Sequence, residues 1–339
     1  MKFKLKDICT RLSSGKGISA KFISDSGKFP VYGGNGLRGY TERSNFIGEC
    51  AIIGRQGAFC GNVRYFFGEA YMTEHAVVVC ANDNHDTRYL SYLLASMQLG
   101  RLSGQSAQPG LSVKVLAEQE VDMPPLAQQK KVTSILASIE KKIDLNNKIN
   151  KNLEQQAKAI FKSWFVDFEP FGSEQPSEMQ FVPLQDICKV VTKGTTPTTL
   201  GKPFTTSGIN FIKAESILDN HSIDNTKFAY IDDETNTMLK RSIIESGDIV
   251  FTIAGTLGRF ALIDESVLPA NTNQAVAIIR PDTNKVAISY LYSFFIGNWH
   301  NDYYTKRVQQ AVQANLSLTT IKSLPIAILS NESMKKYDD

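Results

Sequence analysis

Pro124-Pro125-Leu126-Ala127-Gln128-Gln129-Lys130-Lys131-Val132 opens the stretch that organises this 339-residue chain, because no glycine or proline follows until Pro170. Within the run Val132, Ile139, Asn146, Leu153 and Ile160 recur every seven residues, and Ile135 and Ile149 fall three residues after the first and third of them. Leu136, Ile143, Ala157 and Trp164 widen the stripe, while the outer positions are Lys, Gln, Asn and Glu. The pattern predicts a long amphipathic helix with a coiled-coil-type seam. About 40 residues at roughly 1.5 Å each give a rod of about 60 Å. Its stripe, with Val132, Ile135, Ile139, Asn146, Ile149, Leu153, Ile160 and Trp164 as packing residues, calls for another helix. Asn146 is either a tolerated polar residue or a register lock. Lys142 and Gln156 dilute the seam. The run closes on Ile160-Phe161-Lys162-Ser163-Trp164-Phe165-Val166-Asp167-Phe168, an aromatic cluster suited to pin the helix end to a globular unit or a partner.

Outward from the helix, the two flanks repeat one another. Leu5-Lys6-Asp7-Ile8-Cys9 returns as Leu184-Gln185-Asp186-Ile187-Cys188. Gly48-Glu49-Cys50-Ala51-Ile52 matches Gly247-Asp248-Ile249-Val250-Phe251, each followed by a glycine-rich loop, 57–61 and 255–258. Thr73-Glu74-His75-Ala76-Val77 matches Thr272-Asn273-Gln274-Ala275-Val276, Tyr89-Leu90 matches Tyr290-Leu291, and Gln108-Pro109-Gly110-Leu111-Ser112 matches Gln313-Ala314-Asn315-Leu316-Ser317. The order is kept and the offset drifts slowly, as loop insertions make it. Short β-branched runs at 50–53, 76–80, 249–253 and 275–279 read as buried strands, with turns such as Gly33-Gly34-Asn35-Gly36 between them. Helices are predicted near 88–97 and 289–296. The fold class is therefore α+β: two similar mixed units joined by one long helix.

Composition excludes several classes. The chain is 42% hydrophobic and 21% charged, as globular proteins are, and holds no apolar run long enough for a membrane helix. No signal-peptide core follows the charged start, so a cytoplasmic location is expected. Five cysteines without a C-x-x-C and four scattered histidines argue against a disulfide framework and a metal site. Net charge is +3 overall, divided as +3 over residues 1–125, +3 over 126–170 and −3 over 171–339. A nucleic-acid binder with so little excess must focus its basic groups on one face, or share the phosphate grip with a partner.

Together the helix-start motif 124–132, the helix-end motif Ala159-Ile160-Phe161-Lys162-Ser163-Trp164-Phe165-Val166-Asp167-Phe168 and the two Leu-x-Asp-Ile openings identify a resemblance over nearly the whole chain. It resembles the specificity (S) subunit of type I restriction–modification systems, HsdS-like; Gln128 stands where that family commonly has Glu. The resemblance implies a first target-recognition domain over 1–123, a conserved spacer helix over 124–170, a second recognition domain over 171–329, and a tail or truncated second conserved helix over 330–339. It implies a non-catalytic subunit that reads a bipartite double-stranded DNA target. Adenine methyltransferase (modification) subunits would dock on it, and restriction subunits would join through them. The family also carries a second long helix after the second domain. Here only residues 332–337 begin one, so the seam is expected to be completed by a lost C-terminal segment or by a second copy of the chain.

Two rival readings bear on the same residues. An enzyme acting on DNA would need motifs that are missing: Met123-Pro124-Pro125-Leu126 lacks the flanks of a methyltransferase loop, and Gly57-Ala58-Phe59-Cys60-Gly61 lacks the ending of a phosphate loop. A scaffold repeat protein would favour a secretion signal. No cofactor is expected. Base readers should be Arg or Lys on guanine and Asn or Gln on adenine, carried on loops. The candidates are Arg38, Arg55, Gln56, Arg64, Arg101, Gln105 and Gln108 in the first unit, and Lys193, Lys213, Arg259, Lys306, Arg307, Gln310 and Gln313 in the second. Tyr40, Tyr65 and Tyr303 are candidate phosphate donors.

Overall fold

The computed structural model describes residues 1–103, 110–300, 303 and 315–338. The chain divides into two compact units, Met1–Asn147 and Lys148–Asp339, with the division falling inside the long helix.

The first unit contains β1 (Lys2–Lys4), β2 (Cys9–Ser14), β3 (Phe29–Gly33), β4 (Gly36–Thr41), β5 (Phe46–Gly54), β6 (Val63–Met72), β7 (Ala76–Ala81) and β8 (Glu120–Asp122). Helices α1 (Thr87–Ser96) and α2 (Val113–Ala117) complete it, and α3 (Leu126–Phe165) leaves it. Six strands form one sheet in the order β2-β7-β5-β6-β3-β4, and β1 pairs with β8. Strand β7 is apolar without alternation because both of its faces are covered. Val77 and Val79 join a core with Leu5, Ile8, Leu90 and Leu94, while Ala76 and Val78 join another with Phe46, Ile52 and Met72. Each such fully buried valine contributes about 1.5–3 kcal/mol relative to exposure. Helix α1 starts one residue before its predicted place because Asp86 caps it, accepting from Tyr89 N at 2.6 Å.

The second unit repeats this plan. Its strands are β9 (Gln180–Pro183), β10 (Cys188–Lys193), β11 (Ile209–Ile212), β12 (Ala229–Ile231), β13 (Ile249–Thr252), β14 (Phe260–Leu262), β15 (Ala270–Thr272), β16 (Val276–Pro281) and β17 (Pro325–Ile328). Its helices are α4 (Asp233–Met238), α5 (Ile288–Ile296), α6 (Leu318–Lys322) and α7 (Asn331–Asp338). The order β10-β16-β13-β14 copies β2-β7-β5-β6, and β17-β9 copies β8-β1. The long β6 of the first unit is split here into β14 and β15 by a 3-10 turn at Glu265–Val267. The parallel pairing survives the split: Tyr32 lies opposite Met72 in one unit, Ile212 opposite Thr272 in the other. A close approach is also repeated. A Cβ on Gly15 would stand 2.1 Å from Met72 O, and one on Gly194 1.9 Å from Thr272 O, so both positions need glycine.

Helix α3 is the predicted rod, and no second helix covers its seam among the described residues. Val132, Ile135, Ile139, Ile149, Leu153 and Ile160 are 40–56% exposed, and Asn146 is exposed. Only Trp164 of the named packing residues is covered, edge-on to Phe171 and Tyr337 with centroids 5.7 Å away in each case. The reason lies in the first unit's surface, which presents Asp86, Arg88 and Tyr92 to the helix. Those polar groups take the polar residues Gln129, Thr133 and Glu140, and the apolar stripe stays exposed. In the second unit the helix end is held by Phe161 and Phe165, both buried against Tyr290. Helix α7 covers the predicted 332–337 start, with Met334 buried and Tyr337 against Phe165.

Candidate nucleic-acid interface

In the first unit, three chain-distant segments converge where the central strands end. The β3–β4 turn supplies Gly34 and Asn35, strand β4 supplies Arg38, the loop after β5 supplies Gln56 and Gly57, and the turn before β7 supplies His75; together they line a cleft of about 380 Å³. The walls are welded by backbone. Arg55 N donates to His75 O at 3.0 Å, Leu111 N to Arg55 O at 2.8 Å, and Thr73 N to Tyr32 O at 2.9 Å. Arg38 is exposed and lies across Gly33, whose added Cβ would meet Arg38 Cδ at 2.6 Å. Arg64 crosses Gly36 from β6, with its Cζ 3.1 Å from an added Cβ there. The turn is thus flanked by two arginines that glycine lets approach. Arg55 is half-buried and reaches Ser14 Oγ at 3.4 Å. Arg101 is exposed and shares a second hollow, of about 620 Å³, with Arg64.

The second unit's candidates are placed differently. Lys193 is half-buried at the end of β10. Lys213 is tied to Glu215 at 2.6 Å. Arg259 forms a bidentate pair with Asp219 at 2.5 and 2.7 Å, and its Nη1 reaches Ile217 O at 3.4 Å. That guanidinium is thus held by a carboxylate of the same chain, one that is itself 80% exposed. Gln105, Gln108, Lys306, Arg307, Gln310 and Gln313 lie outside the described residues. Of the phosphate donors, Tyr65 and Tyr303 are committed inside the chain. Tyr65 donates to Glu49 at 2.8 Å, and burial together with that bond raises its pKa. Tyr303 donates to Ser323 O at 2.9 Å.

Several polar residues at these places escaped the sequence reading. His75 lines the first cleft, its Nε2 3.2 Å from Glu74 Oε1. Lys21 and Arg43 stand over the exposed ring of Phe22, 5.0 and 4.7 Å from its centroid. Arg241 reaches Lys193 O and Thr195 Oγ1, both at 3.4 Å. The adjacency Lys21-Phe22 was the available signal, because it interleaves a cation with an aromatic; Arg43 and Arg241 gave none. Burial pushes the thiols of Cys9, Cys50 and Cys188 up to about 12, away from the thiolate form. Among the described residues no cluster of His, Cys, Asp or Glu has the geometry to hold a metal ion. No helix among them is long and apolar enough to cross a membrane.

A family profile described as the type I restriction modification DNA specificity domain matches the chain twice, over residues 1–155 and 176–332. The chain belongs to that family. The double match coincides with the structural repeat, one copy per unit. Among its relatives, the EcoprrI specificity subunit of Escherichia coli is 39% identical over 130 residues, 37% of this chain and 32% of that protein. The MjaIX specificity subunit of Methanocaldococcus jannaschii is 27% identical over 237 residues, 66% of this chain and 52% of that protein. The matches thus span about a third to a half of these relatives. A crystal structure of a type I restriction–modification S subunit from M. genitalium shares the fold, with a TM-score of 0.69 over 99% of this chain and 86% of that one at 16% identity.

Proposed function

We infer that this chain is the DNA sequence-specificity subunit of a type I restriction–modification complex. The observation that carries the reading is the duplicated α+β unit on one continuous helix, Leu126–Phe165. The two copies keep the strand order and change the side chains at the strand ends. A constant frame with variable polar loops is what two different half-sites require. Residues 1–123 and 171–329 are the recognition domains, 124–170 the spacer, and 330–339 the start of a second conserved helix or a tail.

The chain reads double-stranded DNA and contributes no catalytic step. Modification subunits carry the adenine methylation, restriction subunits join through them, and the complex acts in the cytoplasm. The exposed stripe of α3 is the surface for a further helix, including one from a second copy of this chain. Arg38, Gln56 and His75 in the first cleft are the foremost base-reading positions, since Arg pairs with guanine edges and Gln with adenine.

The test is genomic adenine methylation in a host expressing the modification subunit with and without this chain. A new split motif that depends on the chain supports the reading. Methylation unchanged by its presence, with both proteins soluble and associated, refutes it.

A further inference from the structure

The second unit gathers polar side chains of its own where its central strands end. Three segments meet there: the loop after β10 with Thr195 and Thr196, the 3-10 turn Lys240–Ser242 with Arg241, and the turn between β15 and β16 with Gln274. Arg241 is exposed, and its Nη2 donates to Thr195 Oγ1 and Lys193 O, both at 3.4 Å. It is in no ion pair among the described residues, and its Nε and Nη1 make no hydrogen bond with them. Gln274 is exposed too. Its Oε1 accepts from Thr196 Oγ1, and its Nε2 donates to none of the described residues. Two successive threonines thus orient one guanidinium and one amide, and each keeps donors for an outside partner.

The segments are held from behind. Gly194 N donates to Asn273 O at 3.1 Å, where an added Cβ on Gly194 would strike Thr272 O. Asn271 has no exposed surface; it accepts from Ser242 Oγ at 2.7 Å and Thr272 N at 2.8 Å, and donates to Asn236 Oδ1 at 2.8 Å and Leu239 O at 3.3 Å. One satisfied buried amide therefore ties the turn bearing Arg241 to the strand that leads to Gln274, and such a network favours one arrangement.

The two halves of this cluster differ in their relation to the first unit. Thr272-Asn273-Gln274-Ala275 repeats Thr73-Glu74-His75-Ala76, the turn that brings His75 to the first cleft. The support of Arg241 is not repeated. Strands β4 and β12 correspond, each pairing antiparallel with the strand before it. After β4 ends at Thr41, β5 begins at Phe46, whereas α4 and the Lys240–Ser242 turn stand between β12 and β13. The second unit thus supplies a guanidinium from an element the first unit lacks.

We propose that the second half-site is read by Arg241 on a guanine edge and Gln274 on an adenine edge, and that the α4 insertion makes this half-site differ from the first. This rests on the specificity-subunit reading and deepens it. An arginine with Nε and Nη1 unspent can span guanine O6 and N7, and an amide oriented through its oxygen can pair with adenine N6 and N7.

The experiment maps genomic adenine methylation in a host expressing the modification subunit with the parent chain, with R241A or with Q274A. R241A should relax one guanine position and Q274A one adenine position, each by roughly 5- to 150-fold in preference. Both changes should fall in the same half of the split motif, with the other half unchanged. That other half is the internal control, because lost folding lowers methylation at every site without altering the motif. A motif unchanged in either variant, or relaxed in opposite halves by the two, overturns the inference. If R241A methylates no site, competition binding decides, using the intact complex carrying R241Q and duplexes altered one base pair at a time. A guanine preference lost or switched in one half supports the reading, and parent-like preference at every position overturns it. A parent that confers a motif indifferent to both variants refutes only this proposal. A parent that confers no motif refutes the specificity reading and this proposal with it.

Discussion

Gln129 is the residue whose removal tests how the spacer helix is fixed to the first unit. It sits in the first turn of α3 with no exposed surface. Its Oε1 accepts from Asp86 N at 2.8 Å, and its Nε2 donates to Pro124 O at 2.7 Å and lies 3.1 Å from His85 Nδ1. One amide thus joins the helix entry, the α1 cap and the loop before α1. Gln129→Leu keeps the volume and deletes all three bonds. It leaves the half-buried Asp86 amide and Pro124 carbonyl without these partners, each costing about 1–3 kcal/mol. Leucine's transfer into the same site returns part of this, so the net loss should be about 2–4 kcal/mol. For a unit of this size each kcal/mol moves Tm by roughly 2–4 °C, so the first-unit transition should fall by about 5–15 °C. The neighbouring Gln128 is exposed and is the internal control, with Gln128→Ala within about 0.5 kcal/mol of the parent. Calorimetry reads the transition, and hydrogen exchange at Asp86 N reads the bond itself. If Gln129→Leu melts with the parent and the Asp86 amide stays protected, the polar-anchor reasoning is wrong.

Three further outcomes follow from the same structure. His300 is buried within an aromatic cage of Phe251, Phe260, Phe294 and Phe295, and burial, with His221 nearby, lowers its pKa to about 3. The unfolded chain takes up that proton near pH 6.5 while the folded one does not, so second-unit stability is full above 6.5 and falls toward pH 3 by up to about 1.4 kcal/mol per pH unit. A urea-denaturation series should show His300→Gln losing that slope; an unchanged slope would refute the assignment. Arg280 clasps the fully buried Asp248 at 2.7 and 2.8 Å, so Arg280→Ala strands a buried carboxylate and should cost about 3–5 kcal/mol, read by denaturant midpoint. Gly15→Ala and Gly194→Ala each drive a Cβ into backbone, and each should cost about 1–3 kcal/mol or more in its own unit while leaving the other unit's transition in place; equal effects on both transitions would contradict the independence of the two cores.

What was legible in the sequence divides by the range of the interaction. The helix was readable because periodicity is local: a seven-residue rhythm without glycine or proline specifies Leu126–Phe165 almost to its ends. The repeat was readable because its matches lie in buried strands and turns, where packing restricts the residue. Gly15 and Gly194 show the limit of that signal. Both were visible as glycines, but only the structure shows that each sits against the backbone of a strand some sixty to eighty residues further on. The site was less legible because a surface arginine's meaning depends on a partner the sequence does not order. Arg38 and Arg259 read alike, each in or beside a glycine-rich loop; the fold then lays one across Gly33 toward solvent and binds the other to Asp219, forty residues earlier. The seam of α3 marks the opposite case. Its apolar rhythm correctly specified a helix, yet the side of that helix the first unit holds is the one with Gln129 and Glu140, because Asp86 and the Arg88–Tyr92 pair are polar and need polar partners. The stripe is exposed because the first unit offers the helix a polar surface, a fact of tertiary contact that a local rhythm cannot carry.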